Sequence, residues 1–171
     1  MTVINITEPN HNTKNREPME QSLERFPQRD KMQIIPESIS DKKGLVTVDV
    51  TWGEIQPIRA ADGVRTVGES EVIEHLENRR AVIDVRAPGT RYGVGIPGSK
   101  AIPISDILDR MDELDPATFT IFFCNGPQCP QSPSAIKKLL EAGYPSEKIW
   151  YYRGGMHDWI TLGLPISEGG E

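Results

Sequence analysis

The 171-residue sequence predicts an α/β fold: an open parallel sheet with helices on both faces. Two observations carry this. From Val64 onward, short apolar stretches alternate with segments whose apolar residues recur at helical spacing. Within that alternation Ala81-Val82-Ile83-Asp84-Val85 is a near-continuous apolar run, the pattern of a central parallel strand covered on both sides.

Residues 1–43 read as an N-terminal extension. They are polar and lack a sustained apolar period, so they bury too little surface to offset their ordering entropy. A short helix over Met19 to Arg25 is the one local expectation there. Residues 44–63 read as an extra strand or hairpin region. Val46, Val48 and Val50 alternate with Thr47, Asp49 and Thr51, and Asp62-Gly63 marks a turn. An edge strand of this kind can also pair with another subunit, which leaves a homodimer open.

The main domain is expected over 64–167. Val64 to Val67 reads as a strand, and Gly68 to Asn78 as a helix with Val72, Ile73 and Leu76 on one face. Ala81 to Val85 is the central strand, and Ala101-Ile102 is another short one. Ile104, Ile107, Leu108, Met111 and Leu114 have helical spacing, with Ser105 as N-cap. Thr118 to Phe123 is a second buried strand. Ser132 to Ala142 is a helix with Pro133 in its first turn; Ala135, Ile136, Leu139 and Leu140 form its apolar face, and Gly143 stops it. Ile149 to Tyr152 is the last strand. Gly155 to Leu162 is a closing helix, ended by Gly163 and Pro165.

Composition narrows the function classes. The net charge of -6 argues against a nucleic-acid binder, which needs a basic stripe. No apolar run approaches the roughly 20 residues of a membrane span, and the first residues lack a signal-peptide pattern. A cytoplasmic location is the expectation. The two cysteines, Cys124 and Cys129, are too few for a disulfide scaffold. They are also too few for a metal site, so no metal is expected.

Both cysteines lie in one loop, Cys124-Asn125-Gly126-Pro127-Gln128-Cys129-Pro130-Gln131, between a buried strand and the helix at Ser132. In parallel sheets ligands bind beyond the carboxyl ends of the strands, which is where Cys124 stands. A thiol there faces a helix N-terminus, whose amides and dipole favour the thiolate.

Four stretches in this order resemble the rhodanese domain of sulfurtransferases. They are Ile83-Asp84-Val85-Arg86, Gly95-Ile96-Pro97-Gly98 through Pro103, Cys124 with its loop and helix up to Gly143-Tyr144, and Tyr152-Arg153-Gly154-Gly155 through Trp159. The resemblance covers about residues 64 to 167 and implies a rhodanese-like sheet. The two-cysteine loop is similar to that of a bacterial subgroup, some of whose members are linked to quinone-dependent oxidation. It implies a sulfurtransferase in which Cys124 takes a sulfane sulfur from thiosulfate or a persulfide, carries it as a persulfide and passes it to a thiol or cyanide. The partners so implied are a small sulfur-containing substrate or a thiol acceptor protein, with no cofactor.

The loop departs from the family in carrying no Arg or Lys and in holding Pro127 and Pro130, each of which lacks an N–H. Weak thiosulfate binding and better use of persulfide or thiol donors are expected. Asn125, Gly126, Gln128, Gln131 and Ser132 are the candidate loop and substrate-binding residues. Cys129 has three readings: a resolving thiol, a second sulfur relay or a small loop residue. Arg86 pairs with Asp84 as a structural ion pair or faces substrate as a cation. Arg153, on the same rim, supplies positive charge or a structural contact. His157 reads as a surface or capping residue, Trp159 as packing and Tyr92 as a lining of the mouth. The missing loop arginine argues against a phosphatase. Two further classes compete: a rhodanese-fold binding or regulatory module without turnover, and a thiol redox protein using Cys124 and Cys129.

Overall fold

The computed structural model describes residues 54–168 together with two short strands, β1 (Glu37–Ser38) and β2 (Val46–Thr47). These two pair antiparallel. The expected helix over 19–25 and the alternating positions Val48 and Val50 lie outside the described residues. β1 falls within the stretch read as an extension, so the hairpin joins that stretch to the strand region after it.

The main sheet has β3 (Arg65–Val67), β4 (Val82–Asp84), β6 (Lys100–Ala101), β7 (Thr120–Phe123) and β8 (Ile149–Tyr152). Their order is β3-β8-β7-β4-β6, and every pairing is parallel. β7 sits at the centre. Its residues Thr120 to Phe123 are all buried, which is why this run is apolar on both sides of the pleat. β5 (Val94–Gly95) and β9 (Ser167–Glu168) form a separate antiparallel ribbon that the sequence pattern did not announce.

Helices cover both faces, as expected. α1 (Glu69–Glu77) and α3 (Gly155–Thr161) pack Val72, Met156 and Trp159 with Val82, Ile121, Phe123 and Tyr152. Trp159 packs as expected, and its indole N–H donates to the Pro165 carbonyl at 2.6 Å. α2 (Gln131–Glu141) lays Ala135, Ile136 and Leu139 on the other face, against Ile83, Val85, Phe122 and Tyr151.

One expected element is corrected. Residues 104–114 form successive turns and a 3₁₀ segment over Met111–Glu113, not an α-helix. Ile107 and Leu114 are buried and Ile104 and Met111 pack beside them, whereas Leu108 is 45% exposed. Steps of three and four residues fit tight i→i+3 turns as well as an α-helix, so the spacing marked the inward side without fixing the hydrogen bonding. Ser105 does not cap; its hydroxyl donates to the Asp106 carboxylate at 2.6 Å. The Arg110 guanidinium binds Glu113 and the Ala101 carbonyl, which ties the segment to β6.

Candidate active site

Cys124 follows β7 directly, and the loop from Cys124 to Pro130 leads into α2. Three loop carbonyls are taken up by backbone amides. Those of Cys124 and Asn125 accept from the Met156 and His157 amides at 3.0 and 2.8 Å, and that of Gly126 accepts from the Cys129 amide at 2.9 Å. With these three engaged, amides face the two sulfurs, beside the Cys129 carbonyl. The Gly126 and Ser132 amides bear on Cys124, and those of Asn125 and Gln131 bear on Cys129. The two prolines therefore do not empty the nest. Pro127 contributes its carbonyl to Gln56, and Pro130 sits at the N-cap of α2, where its missing N–H costs nothing.

Two glycines make the close approach. Gly155 has φ +56, and a Cβ there would lie 2.7 Å from the Gly126 amide nitrogen, so backbone meets backbone where α3 abuts the loop. Gly126 has φ +154, and a Cβ there would lie 2.7 Å from the Cβ of His157.

Cys124 is only 1% exposed and Cys129 equally buried, and neither is in a disulfide. Burial is the largest influence on the Cys124 thiol and pushes its pKa up. The Cys129 thiol, the nearby Ser132 side chain and the Ser132 and Gly126 amides outweigh it and bring the value down to about 7. Cys129 moves the other way: its bond to Cys124, then burial, hold its proton in place. Protonated, Cys124 donates to the Cys129 carbonyl at 3.4 Å; ionised, it accepts from the Cys129 S–H. The pair is thus one thiolate and one donor.

This fixes a pH dependence. The reactive form exists above the Cys124 midpoint and is lost as pH falls through it. Alkylation of Cys124 is expected to rise about tenfold per pH unit on the acid side and to level off above about 7. Iodoacetamide kinetics read by mass spectrometry check this; a midpoint at the ordinary thiol value, 9.0, contradicts it.

Other predicted residues turn out to hold the loop. Arg86 is 0% exposed, and every N–H of its guanidinium is used: Nε and Nη2 on the Asp84 carboxylate, Nη1 on Asn125 Oδ1 and the Arg91 carbonyl, and Nη2 also on the Val94 carbonyl. The substrate-facing reading of Arg86 is corrected to the structural one. The Asn125 amide donates to the Thr90 carbonyl at 3.1 Å, and Gln131 bridges the Ala87 amide and the Thr90 hydroxyl. Both side chains face the 87–91 segment and not the sulfurs. Gln128 is buried in the loop. Arg153 donates through Nε and Nη2 to the Gln56 carbonyl at 3.1 and 2.9 Å, and the Gln56 amide donates to Pro127 at 2.7 Å. Arg153 therefore clamps residue 56 onto the loop. His157 pairs its Nδ1 with Asp158 at 2.9 Å. Tyr92 is exposed, with φ +53.

The sequence reading missed Arg91 and Tyr151. Arg91 is a second buried guanidinium near Asp84, with Nε 3.9 Å from the carboxylate. Tyr151 shares the buried face with Cys124 and Cys129. Only the strand register reveals that: Tyr151 pairs with Phe122, two residues before Cys124 on the same face of β7.

A buried, activated cysteine in an amide nest at the carboxyl end of a central parallel strand defines a thiolate-bearing α/β domain. Residues 69–162 match the rhodanese-like domain family, and the chain belongs to it. Among solved structures, the chain is similar to a Lactobacillus plantarum protein at 26% identity and TM-score 0.53, covering 60% of this chain and 87% of that one. It is similar to a thiosulfate sulfurtransferase from Pseudomonas aeruginosa at 27% identity and TM-score 0.53, covering 66% of this chain and 22% of that one. A curated relative, the HTH-type transcriptional regulator Rv0324 of Mycobacterium tuberculosis, is 35% identical over 101 residues, 56% of this chain and 43% of its own length. The chain thus spans less than half of that relative. Among the described residues no helix is long and apolar enough to cross a membrane, and no group of His, Cys, Asp and Glu is placed to hold a metal ion.

Proposed function

We propose that this chain is a sulfurtransferase that carries sulfane sulfur on Cys124. The observation that carries the reading is the convergence of the Gly126 and Ser132 amides and the Cys129 thiol on one buried sulfur with a pKa of about 7. The Cys124 thiolate attacks the outer sulfur of thiosulfate or of a persulfide. A new S–S bond forms, the donor's S–S bond breaks, and its electron pair leaves with sulfite or with the donor thiolate. A thiol, on a small molecule or an acceptor protein, or cyanide then attacks the outer sulfur, and Cys124 leaves as thiolate.

Donor choice follows from the cations. Arg86 is fully engaged by protein acceptors, Arg153 is tied to Gln56, and the loop has no Lys or Arg. The loop itself therefore offers the dianionic thiosulfate no charge-assisted partner, while a persulfide does not need one. A KM for thiosulfate at least about tenfold above that for a small-molecule persulfide is expected, the size of one missing charge-assisted bond. Steady-state assays with both donors check it, and a low-micromolar KM for thiosulfate contradicts it.

The test of the function itself is intact mass after incubation with each donor. A gain of one sulfur supports the reading; no gain with any sulfane donor leaves the fold to a second reading. That reading is a regulatory module, favoured by the transcriptional regulator among the relatives and by the two buried thiols. It is marked by the absence of sulfur gain with every donor, whereas a reversible Cys124–Cys129 disulfide marks a thiol redox protein.

A further inference from the structure

The Tyr151 side chain is 0% exposed, and its hydroxyl has no hydrogen-bond partner in the structure. Burying an unpaired hydroxyl is unfavourable, and buried polar groups are nearly always paired. Its surroundings are specific. Tyr151 belongs to the same buried cluster as Cys124 and Cys129. Its backbone is in register with Phe122, so its side chain leaves the sheet on the face that Phe122 and Cys124 share. Burial, then the charge of Cys124, raise the phenol pKa, while Arg153 opposes them. The hydroxyl thus stays a proton donor at neutral pH, next to a site that becomes anionic.

Resting Cys124 does not engage this hydroxyl. Sulfur loading changes the site in one way: it adds a single atom about 2 Å beyond Sγ, the length of an S–S bond, and moves the negative charge onto it. The loop amides and Cys129 bear on Sγ of the resting thiol, and the added atom extends past Sγ within a buried cluster where the Tyr151 hydroxyl is unpaired.

We propose that the Tyr151 hydroxyl donates a hydrogen bond to the outer sulfur of the Cys124 persulfide, making Tyr151 a catalytic residue for the loaded state. This rests on the sulfur-carrying reading of Cys124. The bond stabilises the persulfide anion and leaves the empty enzyme unchanged. The other titratable or charged groups at the site are Cys129 on the loop, Arg153 after β8 and His157 of α3 against Gly126.

The experiment loads full-length wild-type protein and Tyr151→Phe with a small-molecule persulfide. It measures intact mass, thermal melting of the unloaded form and the pH titration of the persulfide's near-ultraviolet band. Tyr151→Phe is expected to melt no lower than wild type, since only an unpaired hydroxyl is removed. It is expected to gain one sulfur on Cys124 and to titrate about one pH unit higher. A gain of sulfur in both proteins with the same midpoint overturns the Tyr151 assignment alone. No gain in wild type overturns the sulfur-carrying reading and this proposal with it. Should Tyr151→Phe not fold, the wild type decides by NMR: sulfur loading is expected to slow exchange of the Tyr151 hydroxyl proton, and an unchanged rate overturns the assignment.

Discussion

Cys124→Ser is expected to abolish sulfur loading and to lower turnover by at least about a thousandfold. The serine hydroxyl stays protonated at neutral pH and cannot form the S–S bond that holds the transferred atom. Cys129 does not substitute for it. Its proton is held by the bond to Cys124 and by burial, and the Asn125 and Gln131 amides that favour its ionised form are too weak to reverse this. The fold is expected to survive, because the Cys124 carbonyl keeps its bond from Met156 and the side chain changes by one atom. Intact mass and turnover, with near-ultraviolet circular dichroism as the fold control, check the prediction. A sulfur gain that persists in Cys124→Ser and maps to Cys129 assigns the nucleophile to the wrong cysteine.

Asp84→Ala is expected to cost about 3–5 kcal/mol of stability, the usual result of removing one partner of a buried ion pair. The Asp84 carboxylate accepts from Arg86 Nε at 2.9 and 3.1 Å, from Nη2 at 2.7 Å and from the Arg86 amide at 3.0 Å. Arg91 Nε lies 3.9 Å away. Without the carboxylate, two buried guanidinium groups share no counter-ion. For a chain of this size the melting temperature is expected to fall by about 10 °C. The damage reaches the site, because Arg86 also holds Asn125 Oδ1 at 3.1 Å and Asn125 carries the loop. Calorimetry with a parallel sulfur-loading assay measures both; a melting temperature within about 2 °C of wild type contradicts the prediction.

These two residues show where local pattern is informative. Cys124 stood out because one short loop holds both cysteines, directly after an apolar run and before a helix start. Asp84 and Arg86 stood out as charges closing a central strand. Their roles were less legible. A charged pair at a strand end reads equally as scaffold or as substrate grip, and burial with every Arg86 donor occupied decides it. Arg153 and Gln131 were read as site residues and are placed as ties, because their partners, Gln56, Ala87 and Thr90, are distant in sequence. The segment 104–114 was misread for a different reason: three- and four-residue spacing does not distinguish an α-helix from repeated tight turns.

The sequence by itself determined the alternating fold, the central strand and the placement of Cys124 at its carboxyl end. Those depend on apolar period, turn residues and chain order, which are local quantities. Only the tertiary structure decided that the loop keeps its amides despite two prolines, how the environment pushes the two thiol pKa values apart, and that Tyr151 lies in the buried cluster of the two sulfurs. Each of these is set by strand register and by contacts between segments far apart in the chain. A thiol's pKa and a hydroxyl's lack of a partner are properties of such contacts, and they appear only when β7, β8 and α2 are brought together.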